Sequence, residues 1–246
     1  MRIYHTSDLH DHRGIVPRLR ALRQNARGLL FDCGDSLRGS QTVYHRREPI
    51  VAEIDAAGYD AQAVGNREFH YLFGCLRARA AQMQHPLLCS NLVDLKNREL
   101  PFARFHSIEY AEPGQQPVRV HLAALLVTQY PAGSPWERVF GWRFLDPQTV
   151  VREFAESIPS GEPLIVLSHL GLRRDRELAA ANPRIDLLLG GHSHDTLFDP
   201  ELQNGVPIVH AGPYGQYVSQ TDLEYDLARG RWTLSAFSLV PLLAAA

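Results

Sequence analysis

The sequence predicts an α/β protein, and three observations carry that expectation. Apolar runs of strand length alternate along the chain with helix-like segments. One after another, the apolar runs end in small clusters of Gly, Asp, Asn, Ser and His. The composition supplies a core of matching size, since 45% of the 246 residues are hydrophobic and only 21% are charged.

The order of elements comes from the same patterning. Residues 2–6 form the first strand, and a helix over 16–26 has Pro17 in its first turn and Val16, Leu19 and Leu22 on one face. A strand over 28–32 precedes a helix over 49–57 that Gly58 terminates, and a strand over 60–64 comes next. Residues 71–83 are helical by composition and 86–90 form a further buried strand. Strands over 102–110 and 118–127 are joined by the turn-rich 112–117, after which 128–147 reads as an irregular, aromatic loop that is either functional or well packed. The rhythm returns with a helix over 148–157, a strand over 163–168, a helix over 173–181 and a strand over 185–190. Strands over 206–210, 216–225 and 232–240 complete a β-rich end. Without a repeat, linker or low-complexity segment, 1–246 is expected to be one domain.

Several function classes are excluded early. With 25 Lys+Arg against 27 Asp+Glu the net charge is -2, so charge-driven disorder does not arise. A pI near 6.6 argues against a nucleic-acid binder. No apolar stretch approaches the roughly 20 residues of a membrane helix. The opening Met1-Arg2-Ile3-Tyr4-His5-Thr6 lacks a secretory signal, which makes the cytoplasm the expected compartment. Cys33, Cys75 and Cys89, odd in number and without CxxC spacing, build neither a zinc site nor a disulfide framework.

The chemistry lies in the polar residues at the end of each strand. Asp8 and His10 come after the first, Gly34 and Asp35 after the second, and Gly65-Asn66-Arg67-Glu68 after the third. Ser168-His169 and Gly190-Gly191-His192-Ser193-His194 end two later ones. Taken singly, the Asp8, Gly34-Asp35 and Gly65-Asn66 clusters are ordinary turn chemistry and His169 a half-buried histidine, whereas the spaced imidazoles of Gly191-His192-Ser193-His194 seldom serve packing. Ligands of α/β sheets bind outside the carboxyl ends of strands, however, so the set is expected to converge. Carboxylate, imidazole and amide donors together suit borderline divalent ions, with manganese first and iron, zinc, nickel or cobalt as alternatives, better than calcium. The donors exceed the three that one catalytic zinc takes, which implies two metals sharing a bridge, with Asp35 the central candidate. Paired ions can lower a bridging water's pKa and clamp an ester's oxygens, so phosphoester hydrolysis by attack of a metal-bound hydroxide is the expected chemistry.

In that order, Asp8-Leu9-His10, Gly34-Asp35, Gly65-Asn66, Ser168-His169 and Gly191-His192-Ser193-His194 resemble the calcineurin-like metallophosphoesterases across nearly the whole chain. The stretches between them, including Asp32-Cys33-Gly34-Asp35 and Leu167-Ser168-His169-Leu170-Gly171, are most similar to the catalytic domain of bacterial 5′-nucleotidases. The resemblance implies two mixed β-sheets packed face to face and flanked by helices. It implies one metal on Asp8, His10, Asp35 and His194 and the other on Asp35, Asn66, His169 and His192. It also implies that the C-terminal domain with which nucleotidases grip the base is missing, so nucleotide specificity is not inherited.

One departure bears on catalysis. The family usually carries histidine after Gly-Asn, and nucleotidases an aspartate three residues later; here Arg67 and His70 stand there. Arginine can stabilise a transition state through its planar fork but does not exchange protons near neutral pH. The UDP-diacylglucosamine hydrolases also carry Gly-Asn-Arg, so arginine need not mean an inactive site. If a helix begins at Glu68, Arg67 and His70 share a face and His70 could be the proton donor; otherwise His70 is a polar surface residue. Arg173, Arg174 and Arg176 read as a solvated helix face, His210 as structural, His12 and Asp11 as peripheral, and Cys33 as packing beneath Asp35. The expectation is a binuclear phosphoesterase of a small phosphorylated molecule, with Asn66, Arg67 and His70 as catalytic candidates. Alternatives are a pyrophosphate or nucleotide-sugar hydrolase or phosphodiesterase favouring good leaving groups, and a metal-binding regulatory module. No nucleic acid or membrane partner is expected, and the oligomeric state stays open.

Overall fold

The computed structural model describes residues 1–112, 114 and 116–242. Of the turn-rich 112–117 segment, Pro113 and Gln115 lie outside the described residues. The chain runs β1 (Arg2–Thr6), α1 (Val16–Asn25), β2 (Leu29–Asp32), α2 (Val51–Ala57), β3 (Ala61–Ala63), α3 (Phe73–Ala80) and β4 (Leu87–Leu88). It continues with β5 (Leu92–Asp94), β6 (Phe105–Tyr110), β7 (Val118–Leu126), α4 (Pro135–Phe140), β8 (Trp142–Phe144) and α5 (Pro147–Ser157). The last third holds β9 (Leu164–His169), α6 (Leu172–Ala181), β10 (Leu187–Gly190), β11 (Glu201–Gln203), β12 (Val206–His210), β13 (Tyr217–Asp226) and β14 (Arg231–Pro241).

Two mixed six-stranded sheets form the centre, in the orders β14-β13-β1-β2-β3-β4 and β11-β12-β10-β9-β7-β6. In the first, β1 to β4 are parallel while β13 and β14 run antiparallel, each to its neighbour, beside β1. In the second, β7, β9, β10 and β12 are parallel and the edge strands β6 and β11 antiparallel.

Alternation along each strand builds the layers. Ile3, Phe31, Leu122, Ile165, Leu167, Leu187 and Leu189 share one buried cluster between the sheets. Their neighbours Tyr4 and Leu30 turn the other way to meet Leu19 and Ile54 of α1 and α2. Ala123, Val166 and Leu188 likewise meet Val151 and Leu178 of α5 and α6. Strands buried on both faces read as continuous apolar runs, which is why they are visible in the sequence. The result is the expected helix–sheet–sheet–helix sandwich. Gly58, with φ 71, ends α2 in the left-handed conformation that glycine adopts without strain.

Three differences from the sequence expectations have identifiable causes. The 128–147 stretch is structured: Ser134 caps α4, β8 pairs antiparallel with β5, and Trp142 and Phe144 join Phe69, Phe102 and Tyr130 in a buried cluster. Three-residue strands and a six-residue helix are too short to show a period, so β5, β8, β11 and α4 are not legible in the sequence. No helix begins at Glu68; a single turn closed by Phe69 N–H on the Gly65 carbonyl is followed by a bend at Tyr71 and Leu72 that leads into α3. No helix among the described residues is long and apolar enough to cross a membrane.

Candidate metal centre

The strand ends of both sheets meet at one edge of the sandwich. β1 and β2 deliver Asp8, His10 and Asp35, and the turn after β3 delivers Asn66 and Arg67. From the other sheet come His169, at the end of β9, and His192 and His194 after β10. Asp8, His10, Asp35, His192 and His194 all have positive φ, between 49 and 77°, a region that Asp and His enter more readily than other non-glycine residues. Tight turns thus bend each side chain back over the sheet edge. Gly65 is required by close approach: a Cβ there would lie 2.5 Å from Asp35 Oδ1.

The donor atoms converge in two overlapping groups. Asp8, His10 and His194 form one and Asp8, Asp35 and His169 the other, with ligand atoms in each within 4.8 Å of one another. His10 Nε2 lies 2.9 Å from His194 Nε2, and Asp8 Oδ1 lies 3.6 Å from His194 Nε2. His169 Nε2 is 3.3 Å from Asp35 Oδ1, its ring is 4.9 Å from that of His192, and Asn66 Nδ2 is 3.4 Å from His192 Nδ1. All seven expected metal ligands are therefore in one place.

Its electrostatics call for a cation. Burial resists charge on Asp8, Asp35 and His169 alike. In Asp35 the neighbouring His169 outweighs that penalty and holds the carboxyl below its ordinary range, whereas burial beside Asp35 raises Asp8. Despite full burial, the Asp35 and Asp8 carboxylates push His169 up to about 10. Burial lowers His10 and His192 to about 4, which keeps both imidazoles neutral and able to act as ligands. Buried His10 Nδ1 and His169 Nε2 have no hydrogen-bond partner. Orphaned imidazole nitrogens beside buried carboxylates fit divalent cations.

An outer layer fixes the ligands. His169 Nδ1 lies 2.7 Å from the Cys33 carbonyl, which orients Nε2 toward Asp35, and the His192 N–H donates to both Asp8 oxygens. Cys33 is fully buried in the cluster between the sheets, with its Sγ donating to the Leu189 carbonyl. Fully buried Glu68 accepts the N–H groups of Asp35, Ser36, Leu37 and Gly65. Gln129 Nε2 donates to Asn66 Oδ1 and to the Val127 carbonyl. Tyr214, at φ 63, packs its ring against His10, His12 and His194. Sequence reasoning misses Gln129 and Tyr214, since an isolated Gln or Tyr in a loop carries no pattern. Glu68 does stand within the polar cluster that ends the third strand, and that position is the one signal pointing to it.

The remaining candidates separate. Arg67 Nη1 donates to the Leu37 and Arg38 carbonyls at 3.4 and 3.2 Å, and Nε lies 4.0 Å from Asp35 Oδ2 at the open rim. His70 is placed differently from the surface position and from the helix expected at Glu68. It is buried, not a surface residue, and without a helix at Glu68 it does not share a face with Arg67. Its Nδ1 accepts the Leu72 N–H, the ring also bonds the Thr42 backbone, and burial lowers its pKa. His210 is structural, as expected: buried, with Nε2 2.8 Å from Asp175 Oδ2 and packed under Gly190.

Known proteins are similar to this chain in sequence and in fold. The family model for calcineurin-like phosphoesterases matches residues 1–196. An uncharacterized metallophosphoesterase of Bacillus subtilis strain 168, YunD, is 29% identical over 239 residues, covering 92% of this chain and 50% of that protein. A 5′-nucleotidase of Vibrio cholerae is 23% identical over 292 residues, covering 98% of this chain and 51% of its own length. The 5′-nucleotidase precursor of Thermus thermophilus superposes with a TM-score of 0.77 at 22% identity, over 99% of this chain and 54% of that one. The chain thus spans about half the length of these relatives. With its strand-end motifs drawn into one centre and its family model matched over most of its length, the chain belongs to the calcineurin-like phosphoesterase family.

Proposed function

We propose that the protein is a metal-dependent hydrolase of small phosphorylated molecules, with two divalent cations at the strand-end cluster. The observation that carries this reading is the pair of overlapping donor groups sharing Asp8, whose ligand atoms lie within 4.8 Å of one another in each group. Asp8, His10, Asp35 and His194 would hold one ion, and Asp35, Asn66, His169 and His192 the other. When bound, such ions supply Lewis-acid polarisation of phosphoryl oxygens and a nucleophilic oxygen at neutral pH. The imidazoles favour manganese, cobalt or nickel over magnesium or calcium.

The chain's own residues determine the rest. The Asp35 carboxylate is held by the Arg67 N–H at 2.8 Å, and the Glu68 carboxylate fixes the Asp35 N–H, so the carboxylate that would be shared by the two ions is positioned before substrate arrives. Arg67 stands at the rim with Nη2 making no hydrogen bond among the described residues, free to donate to a phosphoryl oxygen. It binds and orients the phosphate but gives no proton. With His70 turned to Leu72 and Thr42, the residue positions that bear the family's usual acid supply none here. We therefore assign a preference for substrates whose leaving group departs as a stable anion, which includes pyrophosphates, activated diesters and aryl phosphates.

Turnover of p-nitrophenyl phosphate by manganese-loaded protein tests the reading. Activity should vanish on chelation and return better with Mn, Co or Ni than with Mg or Ca. Strongest activation by calcium, or no turnover with any of these ions, refutes it.

A further inference from the structure

One cavity of about 310 Å³ opens directly beside His192 and Ser193, walled by Val127, Leu170, Arg173 and Arg174. It adjoins a second, of about 240 Å³, where Thr128, Gln148, Asp146 and Glu177 are gathered, and Leu170 and Arg174 belong to both. Together they make a groove leading away from the metal-ligand cluster, with Arg174 at the junction.

The three arginines of α6 are not equivalent. Arg176 forms two hydrogen bonds to Glu201, and Arg173 bonds Glu177 one turn along the helix. Half-buried Arg174 makes no hydrogen bond or ion pair among the described residues. Of the two carboxylates in the groove, Glu177 pairs with Arg173, and Asp146 Oδ2 accepts the Thr149 N–H and hydroxyl. Arg174 and His192 line the same cavity. The Arg174 guanidinium donors are therefore uncommitted at the junction of the two cavities, where a ligand can take them.

We infer that Arg174 is a specificity residue that binds a second phosphate group of the substrate in the groove beside His192. The inference rests on the phosphoester-hydrolase reading and sharpens it, since the substrate class becomes molecules bearing two phosphoryl groups. The planar fork of arginine matches phosphate oxygens two at a time. Leu170 and Val127 give the groove an apolar wall, and Thr128 and Gln148 add neutral polar groups for the organic portion.

The test compares a nucleoside diphosphate with its monophosphate on wild-type, Arg174→Ala, Arg174→Lys and Arg176→Ala proteins loaded with manganese. Wild type should favour the diphosphate in kcat/KM. Arg174→Ala should lower that ratio about 10- to 100-fold, mainly through KM, the range expected for one charge-assisted contact. Arg174→Lys should recover part of the ratio, and Arg176→Ala, which keeps the groove intact, should leave it unaltered. Calorimetric titration with the same two nucleotides reads the subsite independently of turnover. If p-nitrophenyl phosphate and both nucleotides are not hydrolysed, the hydrolase reading fails, while an Arg174-dependent preference in binding still upholds the subsite. An unchanged ratio in Arg174→Ala, by turnover and by titration, overturns it. So does an Arg174-dependent gain for 3-phosphoglycerate over glycerol 3-phosphate without one for the diphosphate, which would make the groove a carboxylate site.

Discussion

Replacing Glu68 by glutamine should loosen the metal centre and destabilise the fold together, although Glu68 touches no expected metal position through its own side chain. Its Oε2 accepts the Asp35 and Gly65 N–H groups at 2.7 and 2.9 Å, and its Oε1 those of Ser36 and Leu37 at 2.9 and 3.3 Å. An amide offers only one oxygen, so either orientation confronts two backbone N–H groups with an NH2. Two hydrogen bonds to a charged acceptor, at about 1.5–3 kcal/mol each, set the loss at about 3–6 kcal/mol. Relief of the burial penalty that raises the Glu68 pKa offsets part of it and favours the lower end. At about 2–4 °C per kcal/mol for a chain of this length, a loss of about 3 kcal/mol lowers Tm by about 6–12 °C. The two loops released carry Asp35 and Asn66, so manganese affinity should fall about 10- to 100-fold, as for other groups that orient metal ligands. Urea and thermal unfolding of the metal-free protein measure the first effect, and calorimetric titration with Mn the second. Stability within about 1 kcal/mol of wild type, with unaltered manganese affinity, would refute the reasoning, since it would mean that the four N–H groups find other partners.

Two further outcomes are expected from the same geometry. Asp35→Asn and His192→Ala should each abolish turnover while leaving a cooperative unfolding transition, because the Asp35 N–H keeps its bond to Glu68 and neither side chain belongs to a hydrophobic cluster. Near wild-type activity at saturating metal in either variant would dismantle the ligand assignment. Across a series of aryl and alkyl phosphates, rates should depend steeply on leaving-group pKa, since general-acid help is typically worth ~10²–10⁴ in rate and Arg67 gives none. His70→Ala should leave that slope unaltered; a shallow slope that steepens in His70→Ala would make His70 the acid after all.

How much of this is legible in the chain depends on the range of the interactions involved. The strands buried on both faces, such as 164–169 and 187–190, announce themselves as apolar runs, and their polar endings hold every expected metal ligand. That reading works because side-chain type and strand position are local properties, and strand ends of an α/β sandwich gather at one edge. The short elements in 128–147 escape because their stability comes from Trp142 and Phe144 packing on distant Phe69 and Phe102, not from any period of their own. His70 shows the same limit. A three-residue spacing from Arg67 suggests a shared face, but the Glu68 carboxylate is taken up by the Asp35 and Gly65 loops, and the backbone makes one turn and a bend before α3 instead of a helix. The sequence by itself determined the fold class, the set of donors and their order. Only tertiary structure decided that Glu68 clamps two loops, that Gln129 and Tyr214 brace Asn66 and the exposed imidazoles, and that Arg174 alone of the three α6 arginines is left unpaired among the described residues. Each of those depends on which groups from remote segments compete for a hydrogen bond or a counter-charge, and spacing along the chain does not encode that competition.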